Sequence, residues 1–109
     1  MSIKSTLPDD DVFLKVFNGL AKLWRLSREE RQALVGTLGR GSISNAQRSR
    51  ISTLVGLYRD LHAVFNPELA KTWIRRPNAA FAGRTPLEVL EHGDVHDFAR
   101  VAEHVSRAT

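Results

Sequence analysis

Apolar side chains recur at steps of three and four residues through most of this 109-residue chain, and no stretch alternates apolar with polar residues. Steps of three and four place side chains on one face of an α-helix, whereas a half-buried β-strand needs alternation. The pattern therefore predicts an all-α protein. Its length suits about one domain, and we expect a compact bundle of about six helices.

Start and stop signals locate the first two helices. A run of aspartates complements the positive end of a helix dipole, so we predict a first helix from about Asp9 to Arg25. Ser27 and Glu30 have the spacing of a capping box, which predicts the start of a second helix, and Gly36 is expected to end it in a left-handed conformation. The apolar stripe of the first helix, expected to be buried, consists of Val12, Phe13, Val16, Phe17, Leu20, Leu23 and Trp24.

Four more helices are predicted downstream. A glycine-rich loop precedes a long helix that is capped by Ser44 or Asn45 and ends near Phe65. The Asn66–Pro67 pair starts a fourth helix, which finishes near Arg75 because a proline follows two residues later.

The last two helices are predicted from signals near the C-terminus. A capping threonine, a first-position proline and a third-position glutamate coincide at Thr85, so a fifth helix starts there, and Gly93 closes it. Asp94 is expected to cap a sixth helix.

Composition excludes several classes of protein. The absence of cysteine rules out a disulfide framework, a thiolate nucleophile and a zinc site built on sulfur. No apolar run is long enough for a signal peptide or a membrane span, so we predict a cytoplasmic location with no membrane partner. A net charge of +4 permits either nucleic acid or an acidic protein as partner.

The polar side chains do not form a recognisable catalytic or metal-binding motif. His92 and His96 have a ligand-like spacing, but a predicted helix break separates them. His62 falls on the apolar stripe of the long helix and His104 stands alone, so we interpret both as structural or solvated. The chain also lacks a dinucleotide fingerprint, a phosphate loop and a nucleophile elbow. We therefore expect no catalytic residues, no metal and no cofactor, and no enzymatic activity.

A DNA-binding function remains an alternative. Residues 23–36 are typical of the opening pair of helices in a helix-turn-helix motif, but only the glycine-broken stretch 37–43 precedes the long helix. That stretch is too short for a recognition helix of two turns. Arg40, Arg48 and Arg50 are candidate phosphate contacts, although solvated arginines would fit the same pattern.

The stretch from Trp73 to Leu90 is the most distinctive part of the sequence. It concentrates aromatic and basic residues in a non-helical segment that Pro77, Gly83 and Pro86 make rigid, and such loops often carry binding residues. The candidate contacts are Trp73, Arg75, Arg76, Asn78, Phe81 and Arg84. Alternatively, Trp73 belongs to the core and the proline, asparagine and glycine residues only shape the backbone. We favour a structural role for the backbone-shaping residues and partner contact for the arginines.

The same stretch resembles a known family. Residues 73–78 (WIRRPN), then Phe81, residues 83–87 (GRTPL) and Leu90, closely resemble the C-terminal toxin-binding domain of the Xre/MbcA/ParS-type antitoxins, which neutralise RES-domain toxins. The resemblance continues upstream through residues 23–27, 34–36 and 51–65, which are similar to the family's Xre-like helix-turn-helix region and the helix that follows it.

The resemblance implies a two-part helical antitoxin. In this family the N-terminal part binds operator DNA and often mediates self-association, and the C-terminal part covers the active site of a toxin that consumes NAD. It implies a RES-domain toxin as partner and a homodimer or a larger complex with toxin. The sequence departs from the family where the recognition helix is expected, between Gly36 and the long helix, because that helix is missing; this departure weakens the case for DNA binding and leaves toxin binding intact.

The chain is accordingly divided by function. We expect a flexible arm at residues 1–8, a degenerate helix-turn-helix-like region at 9–45 and a toxin-binding region at 46–109, the latter two forming one structural unit. Beyond the turn at residues 75–84, the expected toxin contacts extend to Arg100, Glu103 and Arg107 in the last helix.

Overall fold

Six α-helices and no β-strand are present in the computed structural model, which describes residues 8–38, 43–93 and 95–107. The prediction of an all-α protein with six helices is confirmed. The helices are α1 (Pro8–Leu23), α2 (Arg28–Val35), α3 (Asn45–Val64), α4 (Pro67–Thr72), α5 (Pro86–His92) and α6 (Val95–Ser106). Two single 3-10 turns, Trp73–Arg75 and Ala79–Phe81, lie between α4 and α5.

Local capping fixes the start of four helices, as predicted. Reciprocal capping boxes join Ser27 to Glu30, Ser44 to Gln47 and Thr85 to Glu88, and the Asn66 side chain accepts a hydrogen bond from the backbone N–H of Leu69 at 2.9 Å. Each cap satisfies backbone N–H groups that the helix itself leaves without a partner. Of the two residues predicted for the third helix, Ser44 is the cap.

Two of the predicted helix ends differ in detail from the structure. Helix α1 ends at Leu23, two residues earlier than expected, because Arg25 has a positive φ of 54°. Gly36 ends α2 with a positive φ of 75°, but its ψ of −175° is extended rather than left-handed helical. The predicted cap Asp94 and residues 1–7 of the predicted arm lie outside the described residues, and Pro8 is already the first residue of α1.

Helix α3 lies at the centre of the fold and contacts α1, α2, α4 and α6. One continuous core of buried side chains runs from Phe17 in α1 to Val105 in α6. Full burial of a leucine, isoleucine or valine side chain contributes about 1.5–3 kcal/mol, so this shared core holds the helices together. The N-terminal helices and the segment that precedes α5 are therefore packed into the same interior.

The apolar stripe of α1 is only partly buried, which corrects the sequence prediction. Phe17, Leu20 and Trp24 are in the core, whereas Val12, Val16 and Leu23 are among the exposed large hydrophobic residues. The predicted stripe covers about 140° of the helix circumference, since successive residues turn by about 100°. Helix α3 packs on one side of this arc and leaves the other side exposed.

The connection between α2 and α3 shows no helix in the residues that are described there, which are 36–38, 43 and 44. The side-chain Nε2 of Gln47 donates hydrogen bonds to the backbone oxygens of Val35 at 2.9 Å and Thr37 at 3.0 Å. These contacts fix the end of α2 against the start of α3. No helix within the described ranges combines the length and the apolar character needed to cross a membrane.

Candidate functional site

The candidate site is the loop of residues 76–84, together with the face of α6 that packs beside it. Asn78 closes this 76–84 loop. Its backbone N–H donates to the oxygen of Arg84 at 3.0 Å, and its backbone oxygen accepts from the N–H groups of Phe81 and Gly83, both at 3.0 Å. Its side-chain Oδ1 accepts from the N–H of Ala80 at 2.9 Å. One residue thus organises the loop, which explains the asparagine in the sequence motif.

Two consecutive residues at the loop's end have positive φ. Ala82 is left-handed, with φ 59° and ψ 36°, and Gly83 follows with φ 82°. Glycine adopts such φ values easily, whereas an alanine does so at a cost of about 1–2 kcal/mol. Gly83 therefore has the backbone-shaping role that the sequence suggested, and the unexpected strained position is its neighbour.

Trp73 and Phe81 form the buried base of the site, with relative exposures of 9% and 4%. The His104 ring of α6 stacks on Trp73 at a centroid distance of 6.3 Å and meets Phe81 edge-on at 5.4 Å. The Arg100 guanidinium lies over the Phe81 ring at 5.8 Å. The loop is thereby attached to α6 by aromatic and cation–π contacts, each of which contributes of the order of 1 kcal/mol.

His104 is the site residue that sequence reasoning missed. It stands alone in the sequence, whereas its partners Trp73 and Phe81 lie in a distant part of the chain. Nothing in the local pattern of α6 indicates them. The side chain is exposed in spite of its ring contacts, so it borders the surface of the site.

The exposed face of the 76–84 loop is small and cationic. Arg76 and Arg84, near its two ends, are both exposed. Between them the exposed residues are Pro77, Ala79, Ala80, Ala82 and Gly83. The loop consequently presents a narrow apolar tip flanked by two positive charges.

Three predicted contacts, Arg100 and Glu103 in α6 and Arg107 directly after it, lie on one face, since residues three, four and seven apart are neighbours on a helix surface and the Arg107 N–H continues the helical hydrogen bonding to the oxygen of Glu103. Arg100 forms an ion pair with Asp97 at 3.3 Å, and Arg107 forms one with Glu103 at 2.8 Å. All three predicted residues are exposed. Arg100 adjoins the loop through Phe81, and Glu103 and Arg107 extend the same face toward the C-terminal end of the helix.

Arg75, by contrast, points toward the N-terminal helices. Its guanidinium donates to the backbone oxygens of Trp24 at 3.0 Å and Arg25 at 2.8 Å, where α1 has just ended. It also forms two hydrogen bonds to the Glu30 carboxylate, at 2.9 and 3.0 Å. Arginine can satisfy several acceptors at once because its planar group carries five donors. The structure thus brings Arg75 to the scaffold and Arg76 to the surface.

Around this contact between Arg75 and the N-terminal helices, the pKa values of two carboxyl groups are shifted in opposite directions. The hydrogen bonds from Arg75 hold the pKa of Glu30 below its ordinary value of 4.5. Glu91 in α5 has a raised pKa, first because it is partly desolvated and second because the negative Glu30 lies nearby. Ionised Glu30 therefore stabilises the fold, and ionised Glu91 opposes it.

The candidate phosphate contacts have partners within the chain. Arg50 donates to the backbone oxygen of Leu34 at 3.1 Å, and its guanidinium lies 5.1 Å from the centroid of the Phe98 ring. Arg48 donates to the Asn45 side chain at 3.0 Å. Arg40 lies outside the described residues.

The histidines do not gather into a metal site in the described part of the chain, where no three His, Asp or Glu side chains are grouped around one point. His62 is half-buried, and its ring lies 4.3 Å from that of Tyr58, consistent with the structural interpretation.

The molecule is thus a small helical domain that presents an exposed loop with an arginine at each end. Comparison with known families identifies the class of this domain. The family described as "Antitoxin Xre/MbcA/ParS C-terminal toxin-binding domain" matches residues 60–108, which include the 76–84 loop, α5 and α6. The chain belongs to this antitoxin family, and its C-terminal half carries the toxin-binding domain.

One curated relative extends the similarity over most of the chain. It is an uncharacterized protein, y4oB, of Sinorhizobium fredii (strain NBRC 101917 / NGR234), which is 30% identical over 103 residues. The alignment covers 84% of this chain and 80% of the relative. No solved structure matches the chain.

From the opposite pKa shifts of Glu30 and Glu91 we expect their substitution by glutamine to have opposite effects on stability. Glu30→Gln keeps the acceptor for the Ser27 N–H but removes the charge facing Arg75, so the free energy of unfolding should fall by about 1 kcal/mol at pH 7; the Arg75 side chain is 37% exposed, which limits the loss. Glu91→Gln should leave stability unchanged or raise it slightly. Urea unfolding followed by circular dichroism measures both.

The pH dependence of this difference follows from the direction of the shifts. A carboxyl whose pKa is lowered by folding stabilises the protein above its unfolded pKa, and this contribution is lost as the pH falls through the folded value. The deficit of Glu30→Gln should therefore shrink below pH 4.5. An equal deficit at pH 7 and pH 3 would contradict the assignment of the ion pair.

From the positive φ angles in the 76–84 loop we expect opposite effects on stability for substitutions at positions 82 and 83. Ala82→Gly should raise the free energy of unfolding by up to about 1 kcal/mol, because it relieves left-handed strain at the cost of a more flexible unfolded chain. Gly83→Ala should lower it by about 1 kcal/mol, for conformational reasons only, since a Cβ placed there meets nothing within 4 Å. Urea titrations measure both changes in the free energy of unfolding. Two changes of the same sign would contradict the positive φ angles of Ala82 and Gly83.

Proposed function

We propose that this chain is the antitoxin of a type II toxin–antitoxin pair, that its partner is a RES-domain toxin that consumes NAD, and that it inhibits this toxin by covering the active site. In this proposal the chain catalyses no reaction of its own. The observation that carries the proposal is the 76–84 loop, a preorganised and exposed cationic projection within the matched toxin-binding domain.

The shape of the loop supports occlusion of a cleft. Hydrogen bonds of 3.0 Å between Asn78 and both Gly83 and Arg84 hold its base together before any partner binds. Its exposed tip carries alanines at positions 79, 80 and 82, so it is slender enough to enter a cleft. A preformed loop loses less conformational entropy on binding than a flexible one, which favours affinity.

Helix α6 supplies the remaining contact surface in this proposal. Arg100 and His104 adjoin the loop, and the exposed Glu103–Arg107 pair continues the face. Together with the loop they could form an interface of the standard size, about 800 Å² on each partner. Arg76 and Arg84 would contribute most of the specificity, because arginine is enriched among the residues that dominate binding.

The positive charge of this surface indicates the charge expected on the toxin. Arg76, Arg84 and Arg100 are exposed cations on the proposed binding surface, so the rim of the toxin's cleft should be acidic. Opposite charges on the two surfaces accelerate encounter and orient the partners. Because NAD is an intracellular cosubstrate, the chain would act in the cytoplasm.

Two further parts of the proposal concern assembly and DNA. We propose that the chain forms a homodimer, alone or within a larger complex with the toxin. The DNA-binding alternative gains no structural support, since Arg48 and Arg50 are engaged within the chain and the described residues between α2 and α3 form no helix.

The binding site predicts a selective loss of affinity. The double substitution Arg76→Glu and Arg84→Glu should weaken binding of the cognate toxin by more than about 100-fold, since two interfacial arginines would be replaced by repulsive charges. Isothermal titration with the toxin encoded beside this chain measures the affinity, and growth on co-expression reports neutralisation. Because neither arginine belongs to the core, the fold should persist.

A matched control is available on α2. Arg28→Glu and Arg31→Glu introduce the same change in charge on a helix that lies outside the matched domain, and this variant should bind the toxin nearly as tightly as the wild type. Equal affinity of the two double variants for the toxin would show that the 76–84 loop is not part of the interface.

Electrostatic attraction also predicts a dependence on salt. The association rate constant should fall about tenfold or more between low and physiological ionic strength, with a much smaller change in the dissociation rate constant. Stopped-flow or surface-based kinetics would detect this change. A salt-independent association rate would contradict the acidic rim.

A further inference from the structure

The turn that joins α1 to α2 receives hydrogen bonds from a distant side chain. Helix α1 ends at Leu23, and Arg25 follows with a positive φ of 54°, an unfavourable conformation for an arginine. Arg75, which lies 51 positions after Trp24, donates to the backbone oxygens of Trp24 at 3.0 Å and of Arg25 at 2.8 Å. Carbonyl groups at the C-terminal end of a helix lack intrahelical partners and form the negative end of its dipole. The Arg75 guanidinium therefore caps α1.

Glu30 holds the same guanidinium from the side of α2. Its Oε1 accepts from Nη2 of Arg75 at 2.9 Å, and its Oε2 accepts from Nη1 at 3.0 Å. Oε1 also accepts from the Ser27 N–H at 2.8 Å, so the carboxylate is itself fixed by the capping box. A planar guanidinium that is held by both oxygens of one carboxylate has a defined orientation, which a single hydrogen bond does not give.

Both ends of the 76–84 loop are placed against α2. Arg75 is the last residue of the 3-10 turn Trp73–Arg75, so its side chain anchors the residue directly before the loop. At the other end, Thr85 caps α5, and α5 packs on α2. Helix α2 precedes the matched toxin-binding domain, which begins at residue 60. An element outside that domain thus determines how the loop leaves the scaffold.

We infer that, within the proposed function on which this inference rests, Arg75 is a positioning residue that orients the toxin-binding loop, and that Glu30 in α2 acts through it. Arg75 does not touch the toxin, because its donors are already engaged by oxygen atoms of the N-terminal helices. Arg76 and Arg84 make the contacts. A loop that is held in one orientation is competent at every encounter, whereas a loop with several orientations binds with an affinity reduced by its competent fraction.

The rate constants of toxin binding to the full chain separate positioning from contact. At about 0.5 M salt, attraction between charges is largely screened. Under that condition Arg75→Gln should lower the association rate constant about tenfold and Glu30→Gln about threefold, with unchanged dissociation rate constants. The double variant should associate no more slowly than Arg75→Gln, since both changes break one contact.

A direct contact of Arg75 with the toxin predicts different rates. Arg75→Gln would then raise the dissociation rate constant, and Glu30→Gln would leave both rate constants at their wild-type values. This pattern would overturn the inference.

Ser44→Ala is a matched control for the loss of stability. It removes the hydrogen bond of the α3 capping box to the Gln47 N–H and should lower stability to an extent similar to Glu30→Gln. Ser44 takes no part in the hydrogen bonds of Arg75, so both rate constants should equal those of the wild type. Association that is as slow in Ser44→Ala as in Glu30→Gln would attribute the effect to stability and would contradict positioning.

The orientation of the loop can also be measured in the free chain. Residual dipolar couplings of the N–H groups of residues 78–84 should fit the structure jointly with those of α2 and α3 in the wild type and in Ser44→Ala. In Arg75→Gln and Glu30→Gln the couplings of the loop should lose this joint fit, while those of α3 keep it. Unchanged loop couplings in both variants would overturn the inference.

The two measurements distinguish this inference from the proposed function. A wild-type chain that does not bind the toxin would overturn the proposed function, and the dipolar couplings would still decide whether Arg75 orients the loop. Toxin binding with wild-type rate constants in Arg75→Gln and Glu30→Gln would leave the proposed function intact and would overturn the positioning role alone.

Discussion

The contact of Arg75 with the start of α2 and the end of α1 is the interaction on which the geometry of the site depends. One guanidinium holds the backbone oxygens of Trp24 and Arg25 and the carboxylate of Glu30. Glu30 also accepts the Ser27 N–H in the capping box of α2. A residue immediately before the 76–84 loop is thereby anchored to the turn between two N-terminal helices, so the N-terminal half acts as a scaffold for the loop.

The other side of the loop is held by α6. His104 and Arg100 contact the rings of Trp73 and Phe81, and α6 itself packs on α3. The loop is consequently fixed from two directions while its arginines stay exposed. The two adjacent arginines therefore differ in their surroundings: Arg75 donates to oxygen atoms of the N-terminal helices, and Arg76 faces outward, with its Nε donating to the Thr72 hydroxyl. A rigid projection of this kind suits a protein that inhibits by filling a cleft.

Contacts between residues close in sequence could be predicted from the sequence, whereas contacts between distant residues could not. The capping boxes at Ser27 and Thr85 join residues three apart, so both were predictable from local pattern. The bonds of Arg75 to Glu30 and Trp24 span 45 and 51 residues, and no local signal indicates them. The apolar stripe predicted for α1 shows a different limit: an apolar periodicity identifies a face, but it does not say how much of that face the rest of the chain covers. The positions of Val12 and Leu23 required the structure.

Inhibition by occlusion is tested most directly by titrating the purified cognate toxin with this chain while NAD consumption is followed. If the chain covers the active site, turnover falls linearly to zero at one binding site per toxin active site, and the chain alone consumes no NAD. Full toxin turnover in the presence of a stoichiometric excess of the folded chain, with the complex formed, would contradict it.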